Sequence, residues 1–225
     1  MDLTHFISDA HAFLVDLAAH NDREWFKANR DHYEQRVREP GIAFSEALRP
    51  ELEKLTGHDM EAKIFRIHRD LRFSKDKRPY KTYQHIAFSP VDRAGEKHCG
   101  GFLFGIETQR LVIGAGTIAF PPEMLKRYRS LVARDEEGAK LNNLIAQLRR
   151  KGARVGEPEL KRSPRGMDPA HPHAELLRRK SLAVLFDLPP DRNTGDPVSF
   201  YLENVAALLP IYRWLHALST SGAEV

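Results

Sequence analysis

The sequence predicts an α+β fold, with an antiparallel sheet over about residues 62–118, joined by a strand at 182–188 and flanked by amino-terminal and carboxy-terminal helices. Apolar residues recur at helical spacing through the first sixty positions, the period falls to two at Lys63, and helical spacing returns after Pro121 and Pro122. The period-two segments follow one another through links too short for crossover helices, so neighbouring strands must run antiparallel. With 225 residues and 41% hydrophobic content the chain suits one globular domain, and no internal repeat divides it.

Taken in order, Phe6, Ala10, Phe13, Leu14 and Leu17 form one helical stripe. Asn21 with Glu24 reads as the capped start of a second helix carrying Phe26, Tyr33 and Val37, and Phe44, Leu48, Leu52 and Leu55 mark a third that Gly57 stops. In "KIFRIHRDLRF" the residues Phe65, Ile67, Leu71 and Phe73 alternate with Arg66, His68, Asp70 and Arg72, the pattern of a strand with one apolar and one polar face. "YQHIAFS", "GGFLFGIE" and "RLVIGAG" continue the alternation, with Thr108 and Gln109 at a hairpin turn. Past the proline pair, Met124, Leu125, Tyr128, Leu131 and Val132 line one helix and Leu141, Leu144, Ile145 and Leu148 another. Residues 152–172 are rich in proline, glycine and charge and read as loop; "LAVLFDL" reads as a strand. The last helix begins near Pro197 and should kink at Pro210.

Charge is distributed unevenly. The chain carries +4, yet residues 66–81 hold seven basic side chains against two acids, so this window alone supplies +5. A second basic region, 149–180, has ten Lys or Arg against four acids. In the first window a cation stands at every third position, a period that neither a helix nor a strand collects on one side, so the chain must change conformation part-way. The segment from Ser74 to Pro79 should turn, folding Lys75, Lys77 and Lys81 back over Arg66 and Arg72 to make a concave site for phosphate or carboxylate. Arg69 falls on the apolar side, where a guanidinium is costly unless paired. The competing reading is an internal ladder in which Arg66, Asp70 and Arg72 only pair with one another.

The stretch "FRIHRDLRFSKDKRPYKT" resembles the signature of a widespread, uncharacterised bacterial family of about this length, a domain of unknown function marked by R-x-x-R-D-x-R-F followed by D-K-x-x-Y. Arg66, Arg69, Asp70, Arg72, Phe73, Asp76, Lys77 and Tyr80 occupy those positions. "EWF" from Glu24, "GAG" before "PPEML", and "LKRSPRGMDPAHP" at 160–172 fit the same family, so the resemblance covers nearly the whole chain. It implies a shared fold and a site, and it supplies no reaction. In the last motif Leu160, Lys161, Arg162, Pro164, Arg165, Gly166, Asp168, His171 and Pro172 match, which leads us to expect that this loop approaches the 66–81 turn and completes one pocket. The alternative is that Arg165 and Asp168 only brace a loop through local hydrogen bonds.

Several look-alikes are set aside. "HRDL" at 68–71 mimics a kinase catalytic loop, but Lys75 stands where the metal-binding Asn belongs and no D-F-G follows. "GAGTIA" at 114–119 mimics a dinucleotide fingerprint but is preceded by antiparallel strands, with its helix starting only at Pro121. Cys99 is the sole cysteine, which excludes an intramolecular disulfide and an all-thiolate zinc site and fits a reducing cytosol; adjacent on a strand, it and His98 point apart. Asp168, His171 and His173 make a poor metal polyhedron, so no metal or other cofactor is expected. The amino terminus lacks a cationic n-region, and no apolar run approaches the ~20 residues of a membrane span, so a cytoplasmic protein without a membrane partner is expected.

The expected ligand-binding residues are Arg66, Arg69, Arg72, Lys75, Lys77, Tyr80, Lys81, Lys161, Arg165 and Asp168. Their expected partner is an anionic small molecule or nucleic acid; against the latter, only Tyr80 and Tyr83 interleave aromatics with the cations. If the protein is an enzyme acting on a small phosphorylated substrate, Asp70 and His171 are the candidate acid and base. A third possibility is an interaction or structural protein whose Arg/Asp motif serves the fold.

Overall fold

The computed structural model describes residues 2–72, 75–92, 98–191 and 195–220. The first stripe forms α1 (Phe6–Ala19), whose buried residues include all five that set the pattern. In α2 (Arg23–Ala28) the cap is Asp22, whose carboxylate accepts the backbone N–H groups of Glu24 and Trp25 at 2.9 Å, and not Asn21 as expected. A short α3 (Arg30–Tyr33) runs into a π-helical turn, Glu34–Arg38, and then into α4 (Glu39–Thr56), which Gly57 ends at φ 77, a left-handed conformation that favours glycine.

The sheet comprises β1 (Met60–Ile64), β2 (Tyr83–Pro90), β3 (Gly101–Glu107), β4 (Leu111–Thr117), the two-residue β5 (Arg154–Val155) and β6 (Leu182–Leu188). It is antiparallel, in the order β1-β2-β3-β4-β6-β5, and β6 takes its place between β4 and β5. Between these strands lie α5 (Pro122–Val132), α6 (Asp135–Arg150) and α7 (Ala174–Leu177), followed by α8 (Pro197–Val205) and α9 (Leu209–Thr220). A 3₁₀ turn at Ala206–Leu208 separates the last two, so the break falls just before Pro210, which opens α9 instead of kinking it. Among the described residues no helix is long and apolar enough to cross a membrane.

The chain packs as two compact units, Met1–Phe88 with Leu103–Ile113 and Asp187–Asn204, and Ser89–Phe102 with Gly114–Phe186 and Val205–Val225. The first unit is centred on aromatics: Phe44 lies 5.5 Å from Phe6 and 4.8 Å from Phe104, and the hydroxyl of buried Tyr201 donates to the Leu103 carbonyl. In the second, Phe102 stacks on Tyr212 and Phe120 on Tyr128. Gly116, at φ +149, lets β4 approach β6 so closely that a methyl group would overlap the Leu182 carbonyl. The last glycine of "GAG" therefore serves strand packing.

One expected element is shorter than its pattern. The strand expected to run to Phe73 ends at Ile64. Beyond it the chain bends at Ile67 and pairs loosely: Phe65 donates to His85, Lys81 to Ile67 and Arg69 to Pro79, with a bridge between His68 and Tyr80. A spacing of two on one side, from 65 to 67, thus opposes a spacing of four on the other, from 85 to 81, and this mismatch interrupts the ladder. Arg66, His68, Asp70 and Arg72 are consequently not four members of one strand face; Phe73 and Ser74 lie outside the described residues.

Candidate functional site

Arg69 organises the 66–81 loop. Its side chain is 17% exposed, pairs with Asp76 at 3.1 Å, and donates to the carbonyls of Arg78 and Tyr80, each at 3.1 Å. The pairing that a guanidinium on the apolar side requires is thus present. Asn21 grips the same point, its amide accepting from the Tyr80 N–H and donating to the Tyr80 carbonyl. Asp70 accepts both the backbone N–H and the guanidinium of Arg72, and Asp76 does the same for Arg78. Arg72 therefore holds the Asp70 carboxyl below its ordinary range, as Arg78 does Asp76. Lys77 donates to the Leu71 carbonyl, and Lys75 is exposed. Lys81 lies over the rings of Phe65 and Tyr83; burial, with Arg66 and Arg69 nearby, lowers its pKa.

Arg66 behaves differently. It lines a basin of about 400 Å³ with Tyr33, Glu34, Arg38, Ile42 and the chain from Ile64 to His68. A second basin of about 300 Å³ shares Tyr33, Glu34 and His68 with the first and adds Arg23, Phe26, Lys27, Arg30 and Tyr80. Sharing these residues, the two make a furrow lined by residues of the segments 23–42 and 64–68 and by Tyr80. Its floor is aromatic, with Phe26 stacked on Tyr80 at 4.0 Å and His68 edge-on to both. Its wall includes the π-helical turn, a distortion that often accompanies functional positions. Glu34 binds Arg38 at 2.9 Å, whereas among the described residues no hydrogen bond or ion pair engages the side chains of Arg23, Lys27, Arg30, Arg66 or His68. Burial, reinforced by the Glu34 carboxylate, pushes the Tyr33 phenol up to about 12.

The second basic segment lies in the second unit. His171 accepts the His173 N–H at Nδ1 and, in the tautomer this requires, donates from Nε2 to the Ala133 carbonyl. His173 is buried, with Asn142 donating to its Nδ1 and its Nε2 bonded to the Asp135 carbonyl. Both rings clasp the loop to the start of α6, where Gly138 leaves room that a methyl would take from His173. Asp168 accepts the Ala170 N–H in a local turn, and Lys161 accepts at its carbonyl from Arg178. Arg165 is exposed and lines a depression of about 360 Å³ with Pro122, Leu125, Lys126, Arg129, Ser130, Pro164 and Met167. Cys99 is buried, which raises its thiol pKa. Among the described residues no group of three or more His, Cys, Asp or Glu could hold a metal.

The sequence of the family of conserved hypothetical proteins DUF2461 matches residues 9–214. The chain belongs to that family. No curated protein matches it. In this DUF2461 protein, Arg66 and Tyr80 are the residues expected from sequence that line the furrow; Arg72 and Lys77 are engaged within the loop. Sequence reasoning missed Arg23, Lys27, Arg30, Glu34 and Arg38. The signal was available, since successive gaps of four, three, four and four residues put all five on one side of a helix.

Proposed function

We propose that this DUF2461 protein binds a phosphate-bearing ligand in the first basin of the furrow, between Arg38 and Arg66, with His68 in its lining. The observation that carries the reading is Arg66, which lines this basin and makes no hydrogen bond or ion pair among the described residues, Asp70 interacting with it only through space, while Arg69, Arg72 and Arg78 are each paired directly with an aspartate. Cations concentrated in a concavity focus the field there, and a bound anion offsets their mutual repulsion. Arg66 and Arg38 could present planar, bidentate donors to phosphate oxygens. A catalytic role for Asp70 or His171 gains no support from the geometry, because the Asp70 carboxylate is held by Arg72 and both His171 nitrogens are occupied.

The test is a calorimetric titration of the protein with inorganic phosphate and pyrophosphate, repeated with Arg66→Gln and Arg38→Gln. Each substitution should weaken binding by about 10- to 100-fold, the worth of a charge-assisted hydrogen bond. Wild-type protein that binds neither anion, or variants that bind as wild type does, would overturn the proposal.

A further inference from the structure

We infer that the ligand of the first-unit furrow is a single-stranded nucleic acid, laid along it with phosphates on the cationic rim and bases toward the aromatic floor. The inference rests on the phosphate-binding reading above and extends it to the second basin. One phosphate needs no more than the Arg38 and Arg66 end. The rim nevertheless continues with Arg23, Lys27 and Arg30, exposed side chains without a hydrogen bond or ion pair among the described residues. From position 23 to 38 a continuous helix would rise about 22 Å, and the chain is helical on both sides of the turn at Asn29. A row of like charges of that extent matches a polymer with a charge at every repeat, not a single anionic group.

The floor selects among polyanions. Phe26, Tyr33 and Tyr80 line the second basin but are buried, Phe26 and Tyr80 with their faces against each other, so the ring offered to a base is that of exposed His68, which lines both basins. An exposed ring among cations suits an unstacked base, and a stacked base contributes roughly 1–3 kcal/mol irrespective of sequence. An acidic peptide brings carboxylates but no flat rings to such a floor. A duplex keeps its bases stacked inside and would use only the rim. Glu34, which lines both basins, pairs with Arg38, and the cations left outside any ion pair among the described residues are Arg23, Lys27, Arg30 and Arg66.

The experiment measures fluorescence anisotropy of a labelled oligothymidylate with the full chain, against inorganic phosphate, a duplex of equal length and polyglutamate as competitors. We expect the oligonucleotide to bind far more tightly than phosphate, with affinity falling steeply as salt rises because condensed counterions are released. The triple substitution Arg23→Gln, Lys27→Gln, Arg30→Gln should weaken oligonucleotide binding by about 100-fold and change phosphate binding less than about twofold, whereas Arg66→Gln should weaken both. If phosphate binds but the oligonucleotide binds no better, or the duplex or polyglutamate competes equally, the nucleic-acid inference falls while phosphate binding stands. If neither binds, both fall. Should the triple variant misfold, the wild-type salt slope decides, since a slope no steeper than that for phosphate overturns the inference.

Discussion

Replacing Arg69 separates what the motif does for the fold from what it does for a ligand. In Arg69→Met the apolar stem is retained and three interactions are lost: the ion pair with Asp76 and the hydrogen bonds to the carbonyls of Arg78 and Tyr80, all at 3.1 Å. Hydrogen bonds to a charged group contribute about 1.5–3 kcal/mol each in mutational series. The sum must be discounted, because the side chain keeps 17% exposure and Asp76 retains Arg78 as its partner. A net loss of roughly 2–3 kcal/mol follows, or roughly 5–10 °C in Tm for a chain of this size. Arg66→Met removes no protein contact of this kind and should stay within about 0.5 kcal/mol of wild type. Urea and thermal unfolding followed by circular dichroism measure both. If Arg69→Met unfolds within about 0.5 kcal/mol of wild type, or Arg66→Met is destabilised as much as Arg69→Met, the division of labour argued here is wrong.

Two further outcomes are expected. Gly138→Ala should destabilise the protein by at least about 2 kcal/mol, read from the urea midpoint, because the new methyl would overlap the His173 ring and the Val132 carbonyl, neither of which can move cheaply; an unchanged midpoint would contradict this. Glu107 has its pKa lowered by the hydrogen bond from His85, with Arg110 assisting against a desolvation penalty. A folded-state pKa below the unfolded one gives stability that is complete above the ordinary value of 4.5 and is lost as pH falls through the lowered value. Glu107→Gln should therefore be less stable than wild type at neutral pH, with the gap narrowing as pH falls below the ordinary value of 4.5, and a gap that stays constant as the pH is lowered would refute the assignment.

The sheet was legible because burial on one face imposes period two, and β2 shows it without exception from Tyr83 to Pro90. The alternation at 65–73 looked the same on paper and ended early for a reason that lies elsewhere in the chain: the partner segment advances by four where a spacing of two would continue the ladder. Asn21 was misread as a cap for a similar reason, since its real partner, Tyr80, is remote in sequence while Asp22 is the local competitor. Asp168, His171 and His173 make hydrogen bonds that fasten their loop, to Ala170, Ala133 and Asp135, and no spacing rule makes such partners legible in the sequence. The helical row from Arg23 to Arg38 was written plainly in the sequence, but its cations are diluted by Glu24, Asp31 and Glu34, so that counting charge by window hides what counting by helical face reveals.

The period of three in residues 66–81 now has a physical origin. Asp70-Leu71-Arg72 and Asp76-Lys77-Arg78 are the same local device used twice, an aspartate that accepts the backbone N–H two residues on and the guanidinium of that same residue. Arg69 ties the two halves together by reaching Asp76 and the far strand. Those three arginines are paired, so their charge is spent on the loop and gives little attraction to a distant anion. Arg66 precedes the first device, lies outside the set of aspartate pairs, and faces the furrow. A net charge of +5 for the window therefore overstates what it offers a distant anion, whereas along the furrow Arg38 is paired with Glu34 and Arg23, Lys27, Arg30 and Arg66 lie outside any ion pair among the described residues.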